Sequence, residues 1–244
     1  MIEKFEGIIL NERDYSESSK ILNVLTKEHG VIGVIAKGCR SMKSELRSVS
    51  EKLIYGNFNL YYKEGKLSTL ISVDIINSFK QIRKDITKIS YATFLLELTE
   101  QVFKQNNNKD IYELLISSLT KIDEGLDPMV ITNIIELKYL DYLGVSPILD
   151  SCADCGGTNS IVGLSVIKGG YICNDCRTTE TIINEKTIKM IRMFYYVNIA
   201  KIKTIDISEQ VKKEINYFLD EYYDEYTGLY LKSKTFLNNL CQIC

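Results

Sequence analysis

Short apolar runs separated by polar breaks fill the first 80 residues of the chain. Runs that are rich in β-branched and aromatic residues, and bounded by turn-forming residues, are typical of strands. Five such runs occur, at residues 7–10, 20–26, 31–36, 58–62 and 67–73. The last two are separated by Lys63-Glu64-Gly65-Lys66, which predicts a β-hairpin with a short glycine-containing turn.

A sheet of five short strands hides its edges best by closing into a barrel, because an open edge pairs with other chains. The strand count and the length of the segment fit the OB barrel. An SH3-like barrel is the alternative that the same pattern allows. The lone histidine lies in Glu28-His29-Gly30, between two predicted strands, and we expect it to be a turn residue.

After about residue 85 the apolar positions recur with the period of a helix. The segments with this spacing are residues 86–103, 110–119, 127–143, 186–198 and 208–226. Asn106-Asn107-Asn108 ends the first of them, because asparagine favours turns over helix interiors. Asp127-Pro128 starts the third with a cap and a first-turn proline, and Gly144 ends it.

These patterns predict an α+β multidomain protein. The N-terminal domain, residues 1–80, is expected to be a five-stranded OB-type β-barrel. Residues 81–244 are expected to form an α-helical domain, interrupted at about residues 150–180 by a loop-rich insert that carries cysteines.

Two cysteine pairs dominate the insert. Cys152-x2-Cys155 is followed, after 17 residues, by Cys173-x2-Cys176. Each pair can present two thiolates from one tight turn, and two such turns complete a tetrahedron around zinc. The segment between the pairs has the pattern of a β-hairpin. We therefore predict a four-cysteine zinc insert, and four thiols without metal or a redox pair are the alternatives.

The predicted zinc is structural, because four thiolates leave no open position for water or substrate. A zinc nucleobase deaminase would need a histidine ligand and a glutamate in the pattern H-x-E. His29 is followed by Gly30-Val31, so the sequence does not support that interpretation. The remaining cysteines, Cys39 and the terminal pair Cys241 and Cys244, are expected to be incidental thiols.

The composition is that of an ordinary globular protein. The chain has 244 residues, of which 45% are hydrophobic and 25% charged, and one histidine, which excludes sites built from several imidazoles. No secretory signal precedes the seven cysteines, so we expect a reducing, cytoplasmic compartment. No apolar run approaches the roughly 20 residues of a transmembrane helix.

The net charge of −2 argues against a wholly basic nucleic-acid binder, yet the charge is unevenly distributed. Residues 1–80 carry a net charge of +2, and residues 81–150 a net charge of −4. The segment 37–52 has a net charge of +3, from Lys37, Arg40, Lys43, Arg47 and Lys52 against two glutamates. A loop of this kind on an OB barrel can hold a nucleic-acid backbone, although a solvated charged face is the simpler interpretation.

Aromatic residues near this loop offer faces on which bases of a single strand stack. The candidates are Tyr15, Tyr55, Tyr61 and Tyr62, of which the last two are more readily explained by packing within the barrel. The chain contains neither a phosphate-binding GxxxxGK[ST] loop nor a GxGxxG turn after a strand, and no nucleophile–base arrangement stands out. We expect a protein that is not an enzyme.

These segments resemble the RecO family of bacterial recombination mediators over nearly the whole chain. The most specific motif is Ala36-Lys37-Gly38-Cys39-Arg40-Ser41-Met42-Lys43-Ser44, which is similar to the family's A-[KR]-G-x-R-x-x-[KR]-S segment. Further similar segments are residues 7–17, 25–30, 139–144, 152–156 and 231–237.

The resemblance implies an N-terminal OB domain, a helical domain with a zinc insert, and a non-catalytic role in DNA repair and recombination. It implies binding and annealing of single-stranded DNA, contact with the acidic tail of SSB, pairing with RecR and help in loading RecA. The basic positions of the family correspond to Arg13, Lys37, Arg40 and Lys43, to which charge and proximity add Arg47 and Lys52. A zinc-stapled interaction adaptor that touches no nucleic acid is the alternative function.

Overall fold

A closed barrel forms the N-terminal part of the molecule. The computed structural model describes residues 2–241, with side chains up to residue 237. The strands of the barrel are β1 (Ile2–Asp14), β2 (Lys20–Thr26), β3 (Gly30–Ala36), β4 (Tyr55–Tyr61) and β5 (Ser68–Asn77). Their order around the barrel is β1-β2-β3-β5-β4. All pairs are antiparallel except β3 and β5, which pair in parallel at Val34↔Ser68 and Ile35↔Thr69.

This strand order is the Greek-key arrangement of an OB fold, so the predicted fold class is confirmed over the SH3-like alternative. Side chains alternate in direction along each strand, and those that point inward fill the barrel. Phe5, Leu22, Val24, Val34 and Phe58 are among its buried interior residues. The hairpin predicted around residues 63–66 joins β4 to β5, and His29 lies in the turn between β2 and β3.

The first strand is longer than the apolar run that predicted it. It spans Ile2–Asp14 because its two halves pair with different neighbours: residues 2–8 with β4, and residues 7–14 with β2. The register shifts between Ile9 and Asn11, as at a β-bulge. Such irregularities let one strand bend around a small barrel.

Seven helices follow within the described residues, and the periodicity did not predict two of them. They are α1 (Lys80–Arg83), α2 (Ile86–Gln105), α3 (Asp110–Asp123), α4 (Pro128–Tyr142), α5 (Glu185–Tyr196), α6 (Glu209–Tyr226) and α7 (Lys232–Cys241), with a 3-10 turn at Ile199–Lys201. The predicted cap of α4 is confirmed, because the Asp127 side chain accepts hydrogen bonds from the backbone N–H groups of Met129 and Val130. The helix α3 begins at Asp110, as the spacing predicts, and the Asn108 side chain accepts from the Asp110 N–H group.

The helix α2 crosses the outer face of the barrel. The Glu100 carboxylate accepts hydrogen bonds from the side-chain amides of Asn11 on β1 and Asn23 on β2. Residues that point away from the interior, such as Ile21 and Leu25, are buried all the same. Because α2 covers this face, β1 and β2 remain accessible at their ends and in the loops next to them.

The chain divides into two compact units. The first, which we call the barrel unit, comprises residues 1–123 and 231–244; the second, the hairpin unit, comprises residues 124–230. The helices α1 to α3 and α7 thus belong with the barrel, whereas the sequence pattern predicts a domain boundary at residue 80. Whether residues 1–80 act as a separate functional domain stays a prediction. No helix among residues 2–241 is long and apolar enough to cross a membrane.

Candidate metal centre and candidate nucleic-acid interface

The four predicted metal ligands lie at one end of a small hairpin in the hairpin unit. The strands β6 (Ile161–Ser165) and β7 (Gly170–Cys173) pair antiparallel, as the sequence predicted. Cys173 ends β7 and pairs with Ile161. The first cysteine turn is fixed to the same hairpin, since the Ala153 N–H group donates to the Tyr171 carbonyl at 2.7 Å.

Glycine is required where this hairpin meets the preceding chain. Gly170 forms an isolated bridge with Ile148, and a Cβ atom at residue 170 would lie 2.2 Å from the Ile148 carbonyl oxygen. In the first cysteine turn Gly156 has a φ of +73°, in the left-handed region that favours glycine. The Gly156 N–H group closes the turn by donating to the Cys152 carbonyl at 2.9 Å.

The thiols form a compact cluster. The sulfur atoms of Cys152, Cys155, Cys173 and Cys176 all lie within 4.8 Å of one another. Four sulfurs placed tetrahedrally at about 2.3 Å from zinc would be about 3.8 Å apart. The sulfurs of Cys155 and Cys173 are separated by 3.8 Å, so the cluster has the size of a tetrahedral thiolate site and could hold a metal ion.

Backbone donors surround two of the sulfurs. The Cys173 N–H group donates to the Cys152 sulfur, and the Gly157 N–H group donates to the Cys155 sulfur, each at 3.4 Å. Burial by itself would raise the pKa of the Cys152 thiol, but neighbouring backbone N–H groups outweigh it and lower that pKa to about 6. Hydrogen bonding with Cys173 and the other thiols raises the pKa of Cys176. Without a metal, the cluster therefore resists deprotonation of all four thiols. A bound divalent cation would favour the four thiolates.

The four candidate ligands differ in their exposure to solvent. Cys152 and Cys173 are buried against Ile172, whereas Cys176 is half-buried and Cys155 is exposed. A soft metal ion suits four thiolates, and it would have no open coordination position once all four are bound.

The predicted nucleic-acid residues lie in the barrel unit. Arg13 is near the end of β1, and Lys37 directly follows the end of β3. These strand ends are neighbours, because Asp14 pairs with Lys20 and Lys20 pairs with Ala36. We call residues 13–20 together with residues 37–47 the basic corner. Its five predicted cations, Arg13, Lys37, Arg40, Lys43 and Arg47, are all exposed.

Hydrogen bonds attach the loop after β3 to the turn between β1 and β2. The Arg40 N–H group donates to the Ser18 carbonyl at 3.0 Å, and the Gly38 N–H group donates to the Ser19 hydroxyl at 3.3 Å. Between them, Cys39 is buried in the barrel core with 1% of its surface exposed. Cys39, which the sequence suggested to be an incidental thiol, therefore anchors the basic corner in the barrel core.

The cations of the basic corner differ in the contacts that their side chains make within the protein. The Arg40 guanidinium donates to the Ser16 carbonyl at 3.1 Å and lies 3.2 Å from the Asp14 carboxylate. The Arg47 guanidinium contacts the Met42 sulfur. Across the described part of the chain, Arg13, Lys37 and Lys43 form no ion pair, so these three are available to an external anion.

The four candidate stacking tyrosines separate into two groups. Tyr15 and Tyr61 are 60% and 52% exposed. Tyr62 packs against Phe5 with ring centroids 5.0 Å apart, and the Tyr55 hydroxyl donates to the Glu6 carboxylate at 2.7 Å. Tyr62 therefore packs within the barrel, Tyr61 lies on β4 with about half of its surface exposed, and Tyr55 is held by its hydrogen bond.

The expectation that the terminal cysteines are incidental thiols stays a prediction. Cys241 ends α7, and Cys244 lies outside the described residues. Sequence reasoning missed several polar residues that organise the two sites, among them Asp14 and Glu180. Their partners are distant in sequence or lie in irregular loops, so no periodic or spacing signal identified them.

Two family models together match almost the whole chain. The model described as Recombination protein O N terminal matches residues 1–79, and the one described as Recombination protein O C terminal matches residues 83–235. The chain is 37% identical over 244 residues to a protein of Bacillus pumilus named DNA repair protein RecO, covering 98% of this chain and 95% of that protein. Proteins of the same name from Bacillus subtilis and Listeria innocua are also 37% identical, with the same coverage.

Proposed function

The chain belongs to the RecO family of DNA repair proteins, and on this premise we propose that it is a mediator of recombinational repair that binds and anneals single-stranded DNA. With RecR, it would help to load RecA onto DNA coated with SSB, whose acidic tail it would contact. This is a non-catalytic role, carried out in the cytoplasm at the nucleoid. Strand binding is assigned to residues 1–80, and partner binding to the helical part, where Lys232 and Lys234 are candidates for the SSB tail.

The observation that carries the proposal is the set of unpaired cations at one end of a closed OB barrel. Arg13, Lys37 and Lys43 have no acidic partner among the described residues, and Arg40 and Arg47 extend the same surface. Cations of this kind bind phosphates without reading base sequence. Since α2 covers the outer face of β1 and β2, the strand would cross the basic corner rather than that face.

The proposed metal is a structural zinc ion held by Cys152, Cys155, Cys173 and Cys176. Zinc supplies folding free energy to small inserts of this kind, because the unfolded segment has no preformed site. The close spacing of the four sulfurs, which all lie within 4.8 Å of one another, supports this assignment. The hairpin and its two cysteine turns would fold around the ion and present a fixed surface on the hairpin unit.

The strand-binding proposal is tested by measuring the affinity of the full chain for an oligothymidylate at several salt concentrations. With about four phosphate contacts, the logarithm of the association constant should fall against the logarithm of salt with a slope of about −3. Replacing Lys37 and Arg40 by alanine should lower the slope to about half and weaken binding to all sequences alike.

A matched control replaces Lys201 and Lys203, two exposed lysines of the hairpin unit, by alanine. This variant loses the same charge, and its slope should equal that of the unaltered chain. Binding that is indifferent to salt, or equally affected by both double variants, would favour the alternative function of a zinc-stapled interaction adaptor.

A further inference from the structure

An irregular segment follows the second cysteine pair and carries a carboxylate with unusually many donors. Residues 177–184 contain neither helix nor strand. Within this segment the Glu180 side chain accepts three hydrogen bonds. Its Oε1 atom accepts from the Ser165 hydroxyl at 2.7 Å, and its Oε2 atom accepts from the Thr178 N–H group at 2.8 Å and from the Thr178 hydroxyl at 3.2 Å.

These bonds join the segment after Cys176 to the turn of the hairpin. Ser165 ends β6 and is only 2% exposed. Its hydroxyl also accepts from the Lys168 N–H group at 3.2 Å, so the hydroxyl both organises the β6–β7 turn and donates to Glu180. On the other side, the Arg177 guanidinium donates to the Glu180 carbonyl at 3.2 Å. Glu180 thus connects the segment after Cys176 to the β6–β7 turn, in addition to the backbone hydrogen bond from the Ile183 N–H group to the Val162 carbonyl at 3.0 Å.

The four cysteines differ in how strongly their positions depend on the hydrogen bonds of Glu180. The first cysteine turn is bonded to β7 through Ala153, and Cys173 lies within β7 itself. Cys176 comes after the strand, and its turn is closed by one backbone hydrogen bond, from the Arg177 N–H group to the Cys173 carbonyl at 3.0 Å. The Asn174 N–H group also joins this turn to the Ser160 carbonyl at 2.9 Å, on the N-terminal side of Cys176. On its C-terminal side, the position of Cys176 depends on what holds the chain that follows it.

We propose that Glu180 is a positioning residue for the metal site, which orders the segment after Cys176 and so raises the affinity of the four cysteines for zinc. The inference rests on the proposed zinc site. Residues that hold ligands in place, without touching the metal, typically change metal affinity by about 10- to 100-fold. The backbone N–H group of Thr178 and the Ser165 hydroxyl lower the pKa of Glu180 to about 2, so the carboxylate stays charged wherever the cysteines bind metal.

The test compares zinc affinities of full-length variants, measured by competition with a chromophoric chelator. Glu180→Ala should bind zinc about tenfold more weakly or worse, and Glu180→Gln, which keeps an acceptor of the same length, should recover part of the loss. Cobalt(II) serves as a second probe, because its thiolate and d–d absorption bands report the coordination geometry. The bands of Glu180→Ala should weaken or shift at a cobalt concentration that saturates the unaltered chain.

The matched control is Glu185→Ala. Glu185 is an exposed carboxylate further along the chain, and it forms an ion pair with Lys189 of its own helix. Its loss should leave the zinc affinity unchanged. Ser165→Ala breaks the same link from the other side, so it should reproduce much of the Glu180→Ala effect, and the double variant should be little worse than either single one.

The outcomes separate this inference from the zinc proposal itself. An unaltered chain that binds no zinc would overturn the metal site. A chain that binds zinc, but whose Glu180→Ala variant has the same affinity and the same cobalt spectrum, would overturn the positioning role alone. An equal loss in Glu185→Ala would also overturn it, because the effect would then be one of general charge.

Discussion

At the residue scale, Asp14, the acidic neighbour of Arg40, bears on the proposed DNA binding as much as the cations around it. Arg40 is held by the Ser16 carbonyl as well as by the Asp14 carboxylate. Since the carbonyl already orients the guanidinium, Asp14 is not needed to position it. The carboxylate instead places a negative charge where a phosphate would bind.

We therefore expect Asp14→Asn to strengthen binding to single-stranded DNA, in contrast to the usual effect of removing a partner. Exposed ion pairs contribute little, so the gain should be about two- to fivefold at low salt. Glu17→Gln is the control, because Glu17 is an exposed acid of the same turn without a contact to Arg40. The prediction is checked by titration of an oligothymidylate, and weaker binding of Asp14→Asn would show that the carboxylate positions Arg40 for DNA.

An exposed tyrosine and a packed one make a second residue-scale prediction. Tyr15 belongs to the basic corner and is 60% exposed, so a base can reach its ring. Stacking on an aromatic residue contributes about 1–3 kcal/mol per base, so Tyr15→Ala should weaken binding to single strands by roughly tenfold, and Tyr15→Phe should retain it. Tyr62→Ala should lower the thermal stability instead, because Tyr62 packs against Phe5. Equal affinities of Tyr15→Ala and the unaltered chain would exclude stacking at this position.

At the scale of elements, the strands and the longer helices could be predicted from the sequence, whereas α1 and α7 could not. A four-residue helix such as Lys80–Arg83 is too short to show a period. The helix α7 is positioned by a residue far away along the chain. The Glu97 carboxylate on α2 accepts from the backbone N–H groups of Lys232 and Ser233, at 3.1 and 2.9 Å, and also from the Ser233 hydroxyl. No local pattern contains that information.

Glu97 therefore acts as a cap supplied by another helix. Burial would raise the pKa of this carboxyl, but the Ser233 hydroxyl and the backbone donors of α7 outweigh it and lower the pKa below the usual 4.5. A lowered pKa in the folded state means that the stabilisation is complete above about pH 4.5 and is lost as the pH falls through the folded-state value.

We expect Glu97→Gln to loosen α7 by about 1–2 kcal/mol at pH 7, the usual cost of losing a helix cap. Native-state hydrogen exchange of residues 232–241 should report a smaller opening free energy, and the difference from the unaltered chain should shrink on acidification. The control is Glu113→Gln, since Glu113 forms an exposed ion pair with Lys27 and does not contact α7. Unchanged protection of α7 in Glu97→Gln would contradict the capping role.

At the scale of the whole molecule, the sequence indicated a barrel followed by helices, while the structure groups the chain into two units with a returning segment. Residues 231–244 belong with the barrel although they come last. Membership of this kind depends on contacts between distant residues, which the order of predicted elements does not contain. The cysteine spacing, in contrast, was sufficient to predict the cluster, because both pairs and the hairpin that joins them lie within residues 152–176.

The division into units also separates the two candidate sites, and this has a consequence for metal removal. All four thiols lie in the hairpin unit, and all five cations of the basic corner lie in the barrel unit. The barrel has its own buried core, including Phe5, Leu22 and Phe58, so its fold does not draw on the metal. Metal binding to the insert, in contrast, would be largely coupled to the folding of the insert.

We therefore expect the purified chain to contain about one zinc ion, and Cys152→Ser to lose it. The loss should expose the segment 152–180 to limited proteolysis. The salt dependence of single-strand binding should persist in this variant, with a slope near that of the unaltered chain, because the phosphate contacts lie elsewhere. Cys39→Ser is the matched control: it substitutes a buried thiol of the barrel core and should keep the zinc while lowering the stability of the barrel. If Cys152→Ser abolished strand binding while the barrel remained folded, the hairpin unit itself would have to contribute to the DNA site.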